Sequence, residues 1–169
     1  MAKEIIKFTL MFIALTLCQV VVFNHICLFS VAVPLVFIYF IVKLPVTLGV
    51  SWVMTLSFIL GLTVDIMSNT QGMNSLACTI LAVTRLPVLH LYMPRQDTLS
   101  NPEPSIRTLG PAIFMKYAIT LTAIYCTLFF IIEAFAFFNP VHMILKIASS
   151  TLLTFIVIMA IDGFATSGK

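Results

Sequence analysis

The chain has 169 residues, of which 61% are hydrophobic and 9% charged, with a formal net charge of +3 and a mean hydropathy of +1.14. Soluble domains carry about 25% charged residues, so this composition excludes a water-soluble globular domain, whose surface so few charges could not cover. The basic residues are dispersed, which excludes the clustered footprint of a nucleic-acid-binding protein. The reading is one all-α membrane domain over residues 1–169, a polytopic helical bundle.

A hydrocarbon core about 30 Å thick needs about 20 apolar residues per helix, and cutting the chain at its polar breaks predicts six spans. The first covers 6–23 behind the basic flank Met1-Ala-Lys-Glu-Ile-Ile-Lys7. It has no small-residue cleavage site and is followed by further apolar segments, so it reads as a retained span and not a signal peptide. The second, 26–42, is short and contains Pro34, which a membrane helix tolerates when neighbours satisfy the freed carbonyl. The third and fourth cover 49–67 and 73–92. Residues 93–111, with four prolines and mixed charge, read as an extended loop, either a plain connector or a docking segment for a cytoplasmic partner. The last two spans cover 112–136 and 143–161.

With the N-terminus in the cytoplasm, Lys3, Lys7, Lys43, Arg95, Arg107, Lys116 and Lys169 fall inside and Lys146 outside. That asymmetry predicts both termini inside. Cys18, Cys27, Cys78 and Cys126 are widely spaced, without a Cys-x-x-Cys pair, and read as small hydrophobes.

Ionisable groups at membrane depth are costly and mark a function or a partner. Ser57, Gly61 and Asp65 project from one face of the third span. The small residues let another helix approach, so the face reads as a packing or partner seam that ends at Asp65 and the Gly72 turn. Two roles stay open for Asp65. It is either a buried carboxylate that binds a partner or a proton, or a helix-end residue that bonds the turn Ser68-Asn-Thr-Gln-Gly72. Arg85 lies about 18 Å below the start of the fourth span at 1.5 Å per residue, too deep to meet Asp65. It is expected to snorkel or to reach Asp162. Glu133 and Lys146 fall toward the outer side with Asp65. The expected polar contacts are therefore an outer group of Asp65, Glu133 and Lys146 and an inner group of Arg85 and Asp162.

Asn74, Ser75, Cys78 and Ala82 give the fourth span a small polar stripe. Thr9, Thr16 and Gln19 give the first a weaker edge, and Ser149, Ser150, Thr151 and Thr154 mark the last; all read as helix-packing positions. His25, His90 and His142 form no metal-binding or catalytic spacing. No nucleophile elbow or phosphate loop occurs. The expectation is a non-enzyme without metal or cofactor.

Several of these residues together resemble a known family. Leu15-Thr-Leu-Cys-Gln19 closes the first span, Pro34 and Tyr39 lie in the second, and Leu44-Pro45 follows it. With Gly61-x-x-x-Asp65, the Gly72 turn and Glu133 late in the fifth span, this order resembles MreD, the rod shape-determining membrane proteins of bacteria, over most of the chain. Thr84-Arg-Leu-Pro87 with Pro94-Arg95 looks like a variant shared by part of that family. The resemblance implies a non-catalytic scaffold or regulator of peptidoglycan synthesis during cell elongation, in the bacterial inner membrane. It implies association with the single-span protein MreC, and through it with the MreB filament, the RodA glycosyltransferase and a penicillin-binding transpeptidase. The alternative is the substrate-binding subunit of an energy-coupling-factor vitamin transporter, whose fold the family is thought to share. Such subunits present an Ala-x-x-x-Ala docking surface, whereas Ala14-Leu-Thr-Leu-Cys18 keeps only its small-xxx-small form.

Overall fold

The computed structural model describes residues 2–23, 34–70, 72–93, 103–134 and 140–167, and among these every regular element is helical. Helix α1 (Ala2–Cys18) widens at its end into a π-helical turn, Gln19–Phe23, the kind of local register change that redirects a side chain. A six-residue helix, α2 (Ile38–Lys43), precedes α3 (Val50–Ser68) and α4 (Met73–Tyr92). The short α5 (Ile106–Leu109) leads into α6 (Pro111–Ala134) and α7 (Pro140–Ser167). Pro111 stands at the first helical position, where a missing N–H costs nothing.

Helices α3 and α4 form an antiparallel hairpin; α4 packs on α6, and α6 on α7, while α1 lies against α2 and α3. The core centres on α2, since every residue from Leu35 to Val42 is at most 4% exposed. Around it close Leu60 and Val64 of α3, Leu81 and Leu89 of α4, and Phe114, Tyr117, Leu121 and Tyr125 of α6. Phe37 and Tyr125 meet edge to face, with ring centroids 5.8 Å apart.

The outside is apolar as well. Ile6, Leu10, Ile13 and Leu17 of α1 and Val21 of the π-helical turn are all exposed, and Trp52 and Phe164 stand 69% and 82% exposed. Soluble monomers do not present apolar surface on this scale. Among the described residues, four helices are long and apolar enough to cross a membrane: Val50–Ser68, Met73–Tyr92, Pro111–Glu133 and Met143–Phe164. The apolar helix Ile6–Val21 is shorter.

The expected second span, 26–42, needs correction in its described part. Residues 26–33 lie outside the described residues. From Pro34 to Phe37 the chain is not helical, and α2 covers only Ile38–Lys43, about 9 Å of rise. Pro34 has no N–H, and the next two amides are taken by side chains from other helices, so the backbone here has partners outside any helix. The expected extended loop also differs. Residues 94–102 lie outside the described residues, but Ser105 caps α5 reciprocally with Thr108, and Leu109 is buried against the bundle.

Candidate functional site

Asp65 is the centre of the α3–α4 turn. Helix α3 ends with Asn69 in the left-handed conformation (φ 54°), and Gly72 enters α4 at φ 76°. The second is a backbone position that glycine occupies without the Cβ clash that a side chain brings. The reversal brings the first turn of α4 over the Asp65 carboxylate. Oδ1 accepts from the Thr70 hydroxyl, the Asn74 N–H (3.1 Å) and Asn74 Nδ2 (2.9 Å). Oδ2 accepts from the Ser75 N–H (2.8 Å) and the Ser75 hydroxyl (2.6 Å). A helix N-terminus leaves its first amides without intrahelical partners and carries partial positive charge. A carboxylate from the preceding helix therefore serves as its cap, with charge-assisted bonds about twice as strong as neutral ones. Tyr125 of α6 donates to Asn74 Oδ1 at 2.6 Å, which ties α6 to the same network.

Gly61 makes this geometry possible. A Cβ there would lie 2.6 Å from Ser75 Cα and 2.7 Å from the Asn74 carbonyl oxygen, so only glycine lets the two backbones approach. Ser57, one helical turn earlier, is fully buried and its hydroxyl has no hydrogen-bond partner; it contributes small size. The face expected to receive a partner is thus covered from Gly61 to Asp65 by α4 of the same chain. Of the two readings of Asp65, the geometry matches the anchor for the turn.

The short helix α2 is held at both ends. At its entrance Gln19 acts as a side-chain peptide group. Its Nε2 donates to the Pro34 carbonyl (3.0 Å), and its Oε1 accepts from the Val36 N–H (2.9 Å). Thr154 of α7 accepts the Leu35 N–H at 3.0 Å. At its exit the Arg85 guanidinium, on α4, donates to the Ile41 carbonyl (3.0 Å) and the Pro45 carbonyl (2.7 Å). The Ile41 carbonyl is one that the C-terminus of α2 leaves without an intrahelical partner, at its electronegative end, and Pro45 lies just beyond that end, where its carbonyl also accepts the Leu48 N–H at 3.4 Å. Without such partners a six-residue helix inside an apolar bundle would leave polar backbone unsatisfied.

Asp162 of α7, fully buried, gathers the next layer. Oδ1 accepts from the Tyr39 hydroxyl (2.8 Å) and pairs with Lys43 Nζ (2.7 Å), and Oδ2 accepts the Ile106 N–H (3.0 Å). The expected inner group of Arg85 and Asp162 is therefore two neighbouring devices acting on α2. Arg85 holds the Ile41 and Pro45 carbonyls, whereas Asp162 holds Tyr39 and Lys43. The expected outer group also divides. Glu133 and Lys146 form an ion pair at 3.5 Å, over a third exposed on each side, while Asp65 bonds within its own turn. Asn74 and Arg85 are 11 positions apart on α4, about 16 Å along its axis, which separates the Asp65 and Arg85 centres.

The sequence pattern marked Gln19 and Thr154 only as packing polar residues and gave Tyr39, Lys43 and Tyr125 no contact role. A signal existed for Gln19, an uncharged residue with both a donor and an acceptor at the end of an apolar run, suited to bridging two backbone groups. His25 and Cys27 lie outside the described residues. No group of three or more metal-ligating side chains occurs among the described residues. Comparison with protein-family models, with curated proteins and with solved structures finds no match to this chain.

Proposed function

We propose that this chain is a non-catalytic scaffold of the MreD kind in the bacterial inner membrane. In this reading it crosses the membrane six times with both termini in the cytoplasm, and it organises peptidoglycan synthesis during elongation by binding an MreC-like single-span protein. The elongation machinery, namely the MreB filament, RodA and a penicillin-binding transpeptidase, is reached through that partner. The observation that supports it is the use made of the buried polar groups. Asp65, Arg85, Gln19, Thr154 and Asp162 all bond backbone or close neighbours within the fold, and so stiffen a bundle whose outer faces are apolar. A rigid body with an apolar exterior suits a protein that acts by differential contacts in lipid, favouring one arrangement of a complex over another.

Co-purification of the native protein from its own membranes tests the reading. Recovery of an MreC-like protein is the expected result. Recovery of an ATPase module or a bound vitamin, with no MreC-like protein, would replace it with the transporter-subunit reading.

A further inference from the structure

At the Asp162 end of the bundle, the segment Glu103–Leu109 is bonded to two helices that pack on different neighbours. Lys7 of α1 bonds both oxygens of Glu103, at 2.7 and 2.6 Å. Asp162 of α7 accepts the Ile106 N–H at 3.0 Å. Helix α1 otherwise lies on α2 and α3, and α7 on α6. We propose that Glu103–Leu109 is a releasable strap, hinged at Gly110, whose closed form ties α1 to α7 and covers the Asp162–Lys43 pair.

Three features make release possible without unfolding the bundle. First, the segment has internal structure that moves with it. Ser105 and Thr108 cap each other's backbone, and the Thr108 hydroxyl donates to the Glu103 carbonyl at 2.8 Å. Second, opening does not strand a buried charge, because Asp162 keeps Tyr39 and Lys43 on Oδ1 when Ile106 leaves Oδ2. The Lys7–Glu103 pair is 42% and 23% exposed, and such screened pairs add little net stability. Third, Gly110 sits at φ 77° with open space around it, immediately before the rigid start of α6 at Pro111. Pro104 and Leu109 are buried and Ile106 packs against the core; these apolar contacts close the strap, and Leu109, at 6% exposed, is the natural reporter.

Full-length protein in detergent or nanodiscs carries Leu109→Cys or, as an exposed reference, Arg107→Cys. Maleimide modification is followed at the residue by peptide mass. Closure predicts that Cys at 109 reacts about tenfold more slowly than at 107. Lys7→Glu or Glu103→Lys at low salt should speed the reaction at 109 about threefold or more, and the double charge swap should bring it back to within about twofold. Equal rates at 107 and 109 in the parent would overturn the strap. So would charge reversals that leave the rate unchanged, or a swap that does not restore it. Amide exchange of residues 105–109 in chains that keep Leu109 gives the same comparison if Leu109→Cys disturbs folding.

Discussion

Asp65 and Ser57 lie on one face of one helix and illustrate opposite outcomes of burying a polar side chain. The Asp65 carboxylate accepts five hydrogen bonds. Asp65→Asn keeps the shape but points an amide N–H₂ at a donor, so it should lose about 1–3 kcal/mol, read as a lower unfolding midpoint in detergent. The Ser57 hydroxyl is buried without a partner. Ser57→Ala should therefore be neutral or slightly stabilising, by up to about 1 kcal/mol; a large loss there would mean the hydroxyl has an important bond. Arg85→Ala removes the donor to two carbonyls and leaves a void. A loss of about 3 kcal/mol is expected, and Arg85→Lys should recover only part, since one ammonium cannot reproduce the guanidinium fork. Equal stability of the Lys variant and the parent would argue against the capping role.

Among the helices, the α3–α4 hairpin is specified by one close approach and one reversed turn. In Gly61→Leu the side chain would enter the backbone of Ser75 and Asn74. It should prevent the hairpin from closing, with a loss of folded protein before any partner is considered. Gly61→Ala should already destabilise, because the obstructing atoms are backbone and cannot swing away. Gly163 in α7 has nothing within 4 Å of its Cβ position, so Gly163→Ala should hold or raise stability by about 0.5–1 kcal/mol through helix propensity. Comparing the two alanine variants in one thermal-unfolding series separates close packing from intrinsic propensity. The α3 and α4 boundaries were legible within about one residue of 49–67 and 73–92, because length, apolar content and the Gly72 turn are local signals. Helix α2 was not legible as a six-residue piece. Its apolar run matches a spanning helix, and only the partners at its ends explain how so short a helix is satisfied.

In the whole molecule, the lysine and arginine asymmetry predicts that a reporter fused after Lys169 is active in the cytoplasm. Activity confined to the periplasm would reverse the proposed orientation. The same scale explains which polar contacts could be foreseen. Asp65 bonds residues five to ten positions away, a distance a helical turn and a tight reversal cover, so its anchoring role could be framed from the local string. Arg85 bonds carbonyls 44 and 40 positions away, and Thr154 an amide 119 positions away. Nothing in the spacing of side chains reports which backbone groups lack partners.

The sequence by itself determined the class of molecule and the placement of four long apolar helices, since both follow from composition and from contiguous runs. It also framed the anchoring of the Gly72 turn as one of two roles for Asp65, between which the folded geometry chose. The tertiary structure alone decided that α4 of the same chain fills the Gly61 face, that Arg85 and Asp162 hold α2 through separate sets of partners, and that Gln19 bridges the Pro34 carbonyl and the Val36 N–H. Backbone groups buried in an apolar bundle must be paired. The partners come from whichever helices the packing brings near, and that proximity is a property of the folded chain.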